Sequence, residues 1–225
     1  MTSAPMLPPL LWILLPYLAL VSFVVGHIWR YRRDRFRDFV DPPVSDGPHR
    51  LGMQAFRIGF GMVIAARLTD MVTAGPNSHP MGALFLILVL VEFIGVVAAG
   101  IGAVLLFLPD VIDAVPHTAI TPLDRITMPA LVAALLSGVI VRFDPYSAGD
   151  RYRTAETLFT WMRSLASLHP NAEAIRHAPV IYQVRGLVII LMVAIWPFTR
   201  LSGTFAGPVI RWARGLTRRR PVSES

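Results

Sequence analysis

Long apolar runs separated by short polar segments divide the chain into five stretches of membrane-spanning length. A transmembrane helix needs about 20 predominantly apolar residues. The five stretches lie at about residues 8–29, 52–72, 81–108, 124–143 and 180–200. The pattern therefore predicts an all-α integral membrane protein, a five-transmembrane-helix bundle that forms a single membrane domain over residues 1–225. Residues 201–225 are predicted to form a basic cytoplasmic tail.

Arginine clusters follow the first and the last apolar stretch and set the predicted orientation of the bundle. Cytoplasmic segments of membrane proteins are enriched in positive charge, so both clusters are expected inside and the N-terminus outside. The first stretch has its charge after the apolar run, which is the reverse of a cleavable signal peptide, so we expect it to be retained. The clusters comprise Arg30, Arg32, Arg33, Arg35 and Arg37, and then Arg211, Arg214 and Arg218–Arg220.

The polar segment before the last stretch contains a second kind of helical pattern. Leu158, Trp161, Met162 and Leu165 recur at helical spacing within residues 154–168. This spacing predicts an amphipathic helix that lies in the membrane interface on the outer side. Trp161 would then either mark the headgroup level or pack against the bundle, and the sequence favours neither.

Charged residues inside the apolar stretches are the strongest candidates for a site. Arg57 and Arg67 are ten residues apart on the second stretch, which separates them by about 15 Å along a helix and by roughly 80° around it. An arginine within a bilayer costs several kcal/mol unless it is paired. We therefore predict a buried network of Arg67, Asp70, Glu92 and Arg185. In the alternative, Arg67 and Arg185 extend outward to the lipid headgroups, and Glu92 is protonated and has no partner.

The amino-acid composition excludes several kinds of functional site. The chain is 54% hydrophobic and 16% charged, with a mean hydropathy of +0.57, which is typical of a membrane protein. It has no cysteine, which excludes disulfides, thiolate metal sites, iron–sulfur clusters and cysteine nucleophiles. The net charge of +7 comes from basic runs that flank apolar stretches, so it indicates membrane topology and not a nucleic-acid partner. We find no hydrolase, nucleotide-binding or zinc motif.

Several motifs in order resemble those of a known family. They are RYRRDRFRDF after the first stretch, LG and then F-x-x-G in the second, and W-x-R-S followed by L-x-P-x-A-E-x-I in the loop. The last stretch, YQVRGLVIILMVAIWPFTRL, adds W-P-F-[ST]-R-L at its end. Together they resemble the gamma subunit of respiratory nitrate reductase, which is a cytochrome b membrane anchor of the prokaryotic plasma membrane.

This resemblance implies a site that the chain does not reproduce. In the family, two haem b groups lie between the second and fifth spans, and each iron is held by one histidine from each span. Carried over by this resemblance, the second-span ligand positions fall on Arg57 and Arg67. The fifth-span positions, counted from Pro197, fall on Arg185 and Gly203, and none of the four is histidine. Arginine has no lone pair to give a metal and glycine has no side chain. His27 is the best remaining single candidate, and no cofactor is predicted.

Three functions remain open. The first is a haem-less membrane subunit that anchors or assembles iron–sulfur and molybdenum-type oxidoreductase subunits on the cytoplasmic side, a non-catalytic role. The second is an electron-transfer role, as a working quinol-oxidising cytochrome b subunit with other ligands. The third is binding or transport of an anion or a quinone through Arg57, Arg67 and Arg185. The lipid bilayer is a partner in all three, and quinol is a partner in the second.

Overall fold

A computed structural model describes residues 8–33, 47–75, 80–112, 122–143 and 154–218, which are predominantly helical. Four long helices come first along the chain. They are α1 (Pro9–Arg33), α2 (Gly47–Thr73), α3 (Gly82–Ile112) and α4 (Pro122–Arg142). Shorter elements and the last pair of helices follow. They are a π-helical turn (Ala155–Phe159), α5 (Thr160–Ala166), α6 (Glu173–Arg176), α7 (Val180–Ile195), a 3₁₀ turn (Trp196–Phe198) and α8 (Arg200–Arg218).

Four helices of the described chain are long and apolar enough to cross a membrane. They cover Pro9–Arg33, Gly82–Leu106, Arg125–Arg142 and Val180–Phe198. The predicted all-α membrane class is therefore confirmed. Helix α2 has 27 residues and sufficient length, but it is not among the four. Its charged residues, Arg50, Arg57, Arg67 and Asp70, lower its hydropathy, so the five-span count stays a prediction.

Helices α2 and α3 form a hairpin in which the two backbones touch. A Cβ atom built on Gly102 of α3 would lie 2.3 Å from the backbone nitrogen of Phe56, and one built on Gly59 of α2 would lie 2.4 Å from that of Ala99. Real Cβ atoms do not approach other atoms so closely, so only glycine fits at either position. Small residues allow this approach, which maximises van der Waals contact between membrane helices.

A short break divides the last apolar stretch into α7 and α8. Pro197 cannot donate a backbone hydrogen bond, and it lies in the 3₁₀ turn between the two helices. Arg30 of α1 compensates for this break, because its Nη1 donates to the carbonyl oxygens of Pro197 (2.9 Å) and Thr199 (2.6 Å) and contacts Ser202 Oγ (2.8 Å). Helix α8 begins at Arg200, beside the boundary predicted for the tail.

The bundle has two distinct ends, which we call the basic end and the capped end. The basic end carries Arg30, Arg32 and Arg33 at the end of α1. The capped end is covered by residues 154–179, which we call the capping segment.

Side-chain hydrogen bonds hold the capping segment to the bundle. Trp161 Nε1 donates to the carbonyl oxygen of Trp12 (3.1 Å), and the Tyr17 hydroxyl donates to Leu165 O (3.0 Å). Arg163 donates to two carbonyl oxygens at the end of α2, those of Met71 and Ala74. Trp161 is buried and meets Trp12 edge to face at 5.8 Å between ring centroids. Its side chain therefore packs against α1, which is one of the two roles that the sequence allowed.

Candidate functional site

Four charged side chains from three helices meet near the capped end, and we call them the charge cluster. Arg67 and Asp70 come from α2, Glu92 from α3 and Arg142 from α4. Arg67 Nη2 lies 2.6 Å from Glu92 Oε1, and Arg67 Nη1 lies 3.9 Å from Asp70 Oδ2. Arg142 forms an ion pair with Asp70 through Nη1 and lies 3.6 Å from Glu92 Oε2 through Nε.

The charge cluster is almost completely removed from solvent. The exposed fractions of the side chains are 13% for Arg67, 1% for Asp70, 6% for Glu92 and 3% for Arg142. Buried charges persist in proteins only when they are paired and hydrogen-bonded. Each carboxylate here contacts both guanidinium groups, so the four formal charges sum to zero.

Two arginines from other helices donate hydrogen bonds to backbone carbonyl oxygens of α4. Arg67 Nη2 donates to the carbonyl oxygen of Gly138 (2.7 Å). Arg185 of α7 donates through Nη1 to Ala134 O (3.2 Å) and contacts Ser137 Oγ at the same distance. A Cβ atom on Gly138 would lie 2.8 Å from Arg185 Nη1. The absence of a side chain at Gly138 thus gives Arg185 room to reach α4.

These contacts can be compared with the predicted network of Arg67, Asp70, Glu92 and Arg185. The structure brings Arg67 into ion pairs with Asp70 and Glu92, whereas Arg185 reaches α4. Sequence reasoning missed Arg142, which contacts both carboxylates. One feature of the sequence could have indicated it: Arg142 is the last charged residue of the fourth stretch and lies about one turn after the small residues Ser137 and Gly138.

A cavity of about 90 Å³ adjoins the charge cluster. Arg67 lines it from α2 and Arg185 from α7, so the two arginines border one space although they come from different helices. Its other lining residues are largely apolar. The capping segment contributes Thr154, Leu158, Phe159 and Met162. Leu158 and Phe159 belong to the π-helical turn, and such turns are frequent at functional sites.

The other two positions that the sequence resemblance assigned to haem ligands, Arg57 and Gly203, lie toward the basic end. Arg57 is half-buried on α2 and makes no hydrogen bond, ion pair or ring contact with another residue in the described ranges. Gly203 is buried on α8. Four aromatic rings pack between α2 and the α7–α8 region, and we call them the aromatic cluster. They are Phe56, Phe60, Trp196 and Phe205, with centroid separations of 5.5 Å for Phe56–Phe60 and 5.1 Å for Phe60–Trp196.

The described histidines offer little for binding a metal. His27 is half-buried on α1, where its ring packs against Phe23 at 4.3 Å and its Nδ1 lies 2.8 Å from the Phe23 carbonyl oxygen. His169 and His177 are exposed in the capping segment, and His177 pairs with Glu173 at 2.9 Å. Within the part of the chain that the structure describes, no group of three or more histidine, aspartate or glutamate side chains could hold a metal ion.

Comparisons with known proteins agree with the resemblance read from the motifs. The family model described as "Nitrate reductase gamma subunit" matches residues 8–220. The nitrate reductase gamma chain of Bacillus subtilis (strain 168) is 27% identical over 210 residues, which cover 89% of this chain and 92% of that protein. The nitrate reductase-like protein NarX of Mycobacterium tuberculosis (strain CDC 1551 / Oshkosh) is 27% identical over 216 residues. That match covers 92% of this chain but 33% of NarX, so the chain spans about a third of that relative's length. Because the family model extends over nearly the whole sequence, the chain belongs to the nitrate reductase gamma subunit family.

Proposed function

We propose that this protein is the membrane subunit of a nitrate-reductase-like respiratory complex and that it works without haem. In this role it anchors or assembles the iron–sulfur and molybdenum-type subunits at the cytoplasmic face of a prokaryotic plasma membrane. Membership of the gamma subunit family and the four apolar helices support the membrane-subunit role. The arginines at the basic end, Arg30, Arg32 and Arg33, supply positive charge where those subunits would dock.

The residues at the four ligand positions do not fit haem. Arginine stays protonated and donates hydrogen bonds only, so neither Arg57, Arg67 nor Arg185 offers iron a lone pair. Gly203 has no side chain to offer. The aromatic cluster also packs between α2 and the α7–α8 region, close in sequence to Arg57 and Gly203. In a bundle without a porphyrin, aromatic rings that pack directly against one another can fill the space between these helices.

The contacts of the Arg67 side chain are the observation that supports this proposal most directly. Its Nη2 lies 2.6 Å from Glu92 and 2.7 Å from the carbonyl oxygen of Gly138. The side chain at this ligand position therefore joins three helices through an ion pair and a hydrogen bond. We infer that the side chain at this position is committed to α3 and α4, whereas a haem ligand at the same position would join α2 to the last span.

A reduced-minus-oxidised absorbance spectrum of the purified protein tests the proposal. We expect no haem b band, and we expect co-expressed iron–sulfur and molybdenum-type oxidoreductase subunits to sediment with the membrane fraction only when this chain is present. A b-type cytochrome with two histidine ligands, prepared in the same way, is the positive control for haem loading. A stoichiometric haem b band in this protein would refute the haem-less role and favour the cytochrome b alternative.

We further propose that α2 is a fifth span, with the N-terminus outside and the C-terminus inside. Its length of 27 residues and its close packing on α3 support a membrane position despite its charges. The absence of native cysteine makes the test direct, because single cysteines can be introduced at exposed sites. Cysteine at Ser167 in the capping segment should react with an impermeant maleimide added to intact cells. Cysteine at Arg33 should react only after the cells are opened, and the reverse pattern would overturn the orientation.

A further inference from the structure

Helix α8 does not continue the axis of α7. Thr199, which joins the two helices, has extended backbone angles (φ −86°, ψ 159°), so the helical path is interrupted there. In a straight helix Trp196 and Phe205 would lie on opposite sides and about 13 Å apart along the axis. Their ring centroids are 5.9 Å apart. The chain therefore turns after Trp196, and α8 lies against the basic end of the bundle.

This turn is at the level where the apolar run of α1 ends. Arg30 follows that run, and it donates to the carbonyl oxygens of Pro197 and Thr199. The ring of Trp29 lies 6.3 Å from that of Phe198, and both side chains are about half exposed. Arginine and partly exposed aromatic side chains are typical of the boundary between a membrane span and the aqueous phase. Helix α8 therefore begins at this boundary.

The sequence of α8 separates apolar and basic residues onto opposite sides of the helix. At about 100° per residue, Val209, Trp212 and Leu216 fall within an arc of about 60°. Val209 and Trp212 are 63% and 69% exposed. A basic side opposite an apolar side that contains tryptophan and leucine is typical of helices that lie in the plane of a membrane interface. The basic residues occupy an arc of similar width on the other side, and they are Arg211, Arg214 and Arg218.

The apolar side of α8 continues an apolar surface of the bundle. Phe205 belongs to the aromatic cluster, and the next turn contributes Val209 and Ile210 to an open groove of about 520 Å³. Phe23 and Ile28 line the same groove from α1, which is one of the helices of membrane-spanning length. Acyl chains surround such a helix in a bilayer. A soluble subunit would instead approach from the aqueous phase and meet the basic side of α8.

We propose that α8 is an interfacial helix that binds the phospholipid leaflet at the basic end of the bundle. Its apolar side lies among the acyl chains, and its arginines lie at the headgroups of anionic phospholipids, to which basic residues beside a membrane are attracted. The predicted basic tail is then a membrane-bound helix over most of its length. This inference goes beyond the proposed anchoring role and does not depend on the absence of haem.

Spin labels on single cysteines test this proposal, because the chain has no native cysteine. The full chain is reconstituted into bilayers of phosphatidylcholine with or without phosphatidylglycerol. Collisions of the label with oxygen report exposure to lipid, and collisions with a water-soluble nickel chelate report exposure to water. Val25→Cys on α1 and Ser167→Cys in the capping segment give the lipid and water references, since both positions are exposed.

Labels on the two sides of α8 should behave differently. Val209→Cys and Trp212→Cys should give an oxygen-to-nickel collision ratio close to that of the lipid reference. Arg211→Cys and Arg214→Cys should give a ratio several-fold lower and close to that of the water reference. Equal ratios on the two sides would overturn the proposal. Protection of position 212 from nickel only after iron–sulfur and molybdenum-type subunits are added would also overturn it, because the partner would then be a protein.

The lipid composition tests the role of the arginines. The ratio at position 209 should rise when phosphatidylglycerol is included, and replacing Arg211, Arg214 and Arg218 together by glutamine should abolish this rise. Arg176→Gln is the control, because Arg176 lies in the capping segment and pairs with Glu173 at the surface, and it should keep the rise. A ratio that does not depend on phosphatidylglycerol in the chain with all its arginines would overturn the assignment to anionic headgroups.

Discussion

Replacing Glu92 by glutamine is expected to destabilise the protein by roughly 3–5 kcal/mol, because removing one partner from a buried ion pair leaves an uncompensated charge. Glu92 is 6% exposed and contacts both Arg67 and Arg142. The variant would leave two guanidinium groups to share Asp70. The free energy of unfolding can be measured by denaturation in mixed detergent micelles. A loss below about 1 kcal/mol would mean that Glu92 does not carry a paired charge in the folded protein.

A double-mutant cycle separates the Arg67–Glu92 pair from other effects of the substitution. Arg67→Met, Glu92→Gln and the double variant should show a coupling energy of at least about 1 kcal/mol, as expected for residues in direct contact. The Arg176–Glu173 pair provides the control, since its atoms are 3.3 Å apart but the side chains are 33% and 60% exposed. Its coupling should lie between about 0 and 1 kcal/mol. Zero coupling at Arg67–Glu92 would remove the central pair of the charge cluster.

Gly102→Leu is expected to disrupt the α2–α3 hairpin, with a loss of roughly 3 kcal/mol or more. The first side-chain atom alone would lie 2.3 Å from the Phe56 nitrogen, so the two helices would have to separate. Gly100→Leu is a close control, because it lies two residues away on the same helix and a Cβ atom there has no neighbour within 4 Å. Unfolding in mixed micelles should show little change for Gly100→Leu. Equal losses for both variants would indicate a general effect of glycine replacement.

The sequence alone was sufficient to predict the class of the fold and the family of the protein. Apolar runs of about 20 residues predict helices without knowledge of their partners, because every backbone polar group in a bilayer must be satisfied within its own segment. The motifs around Trp161 and Pro197 were sufficient for the family, which the match over residues 8–220 confirms. Arg67 and Glu92 could be named as a pair because a buried charge needs an opposite charge.

The partners from other helices were harder to predict. Arg142 comes from the end of α4, and its contact with Asp70 depends on how α4 is rotated about its axis. The pattern of apolar and charged positions in one sequence does not reveal that rotation. The small pair Ser137–Gly138 lets Arg185 reach the same helix, but small residues occur throughout membrane helices. The aromatic cluster was missed for the same reason, because Phe60 and Trp196 are far apart in sequence.

The hairpin of α2 and α3 has a consequence for biogenesis. Its glycine contacts join segments that are close in sequence, and the N-terminal part of a chain folds first during synthesis. Asp70 and Glu92 thus leave the ribosome well before Arg142, and of the two arginines in the charge cluster it is Arg67, on the hairpin itself, that is present at that stage. Loss of Arg67 should accordingly act early, at insertion by the translocon, whereas loss of Arg142 should affect only the later docking of α4. Truncated nascent chains that end after α3 would separate these two stages.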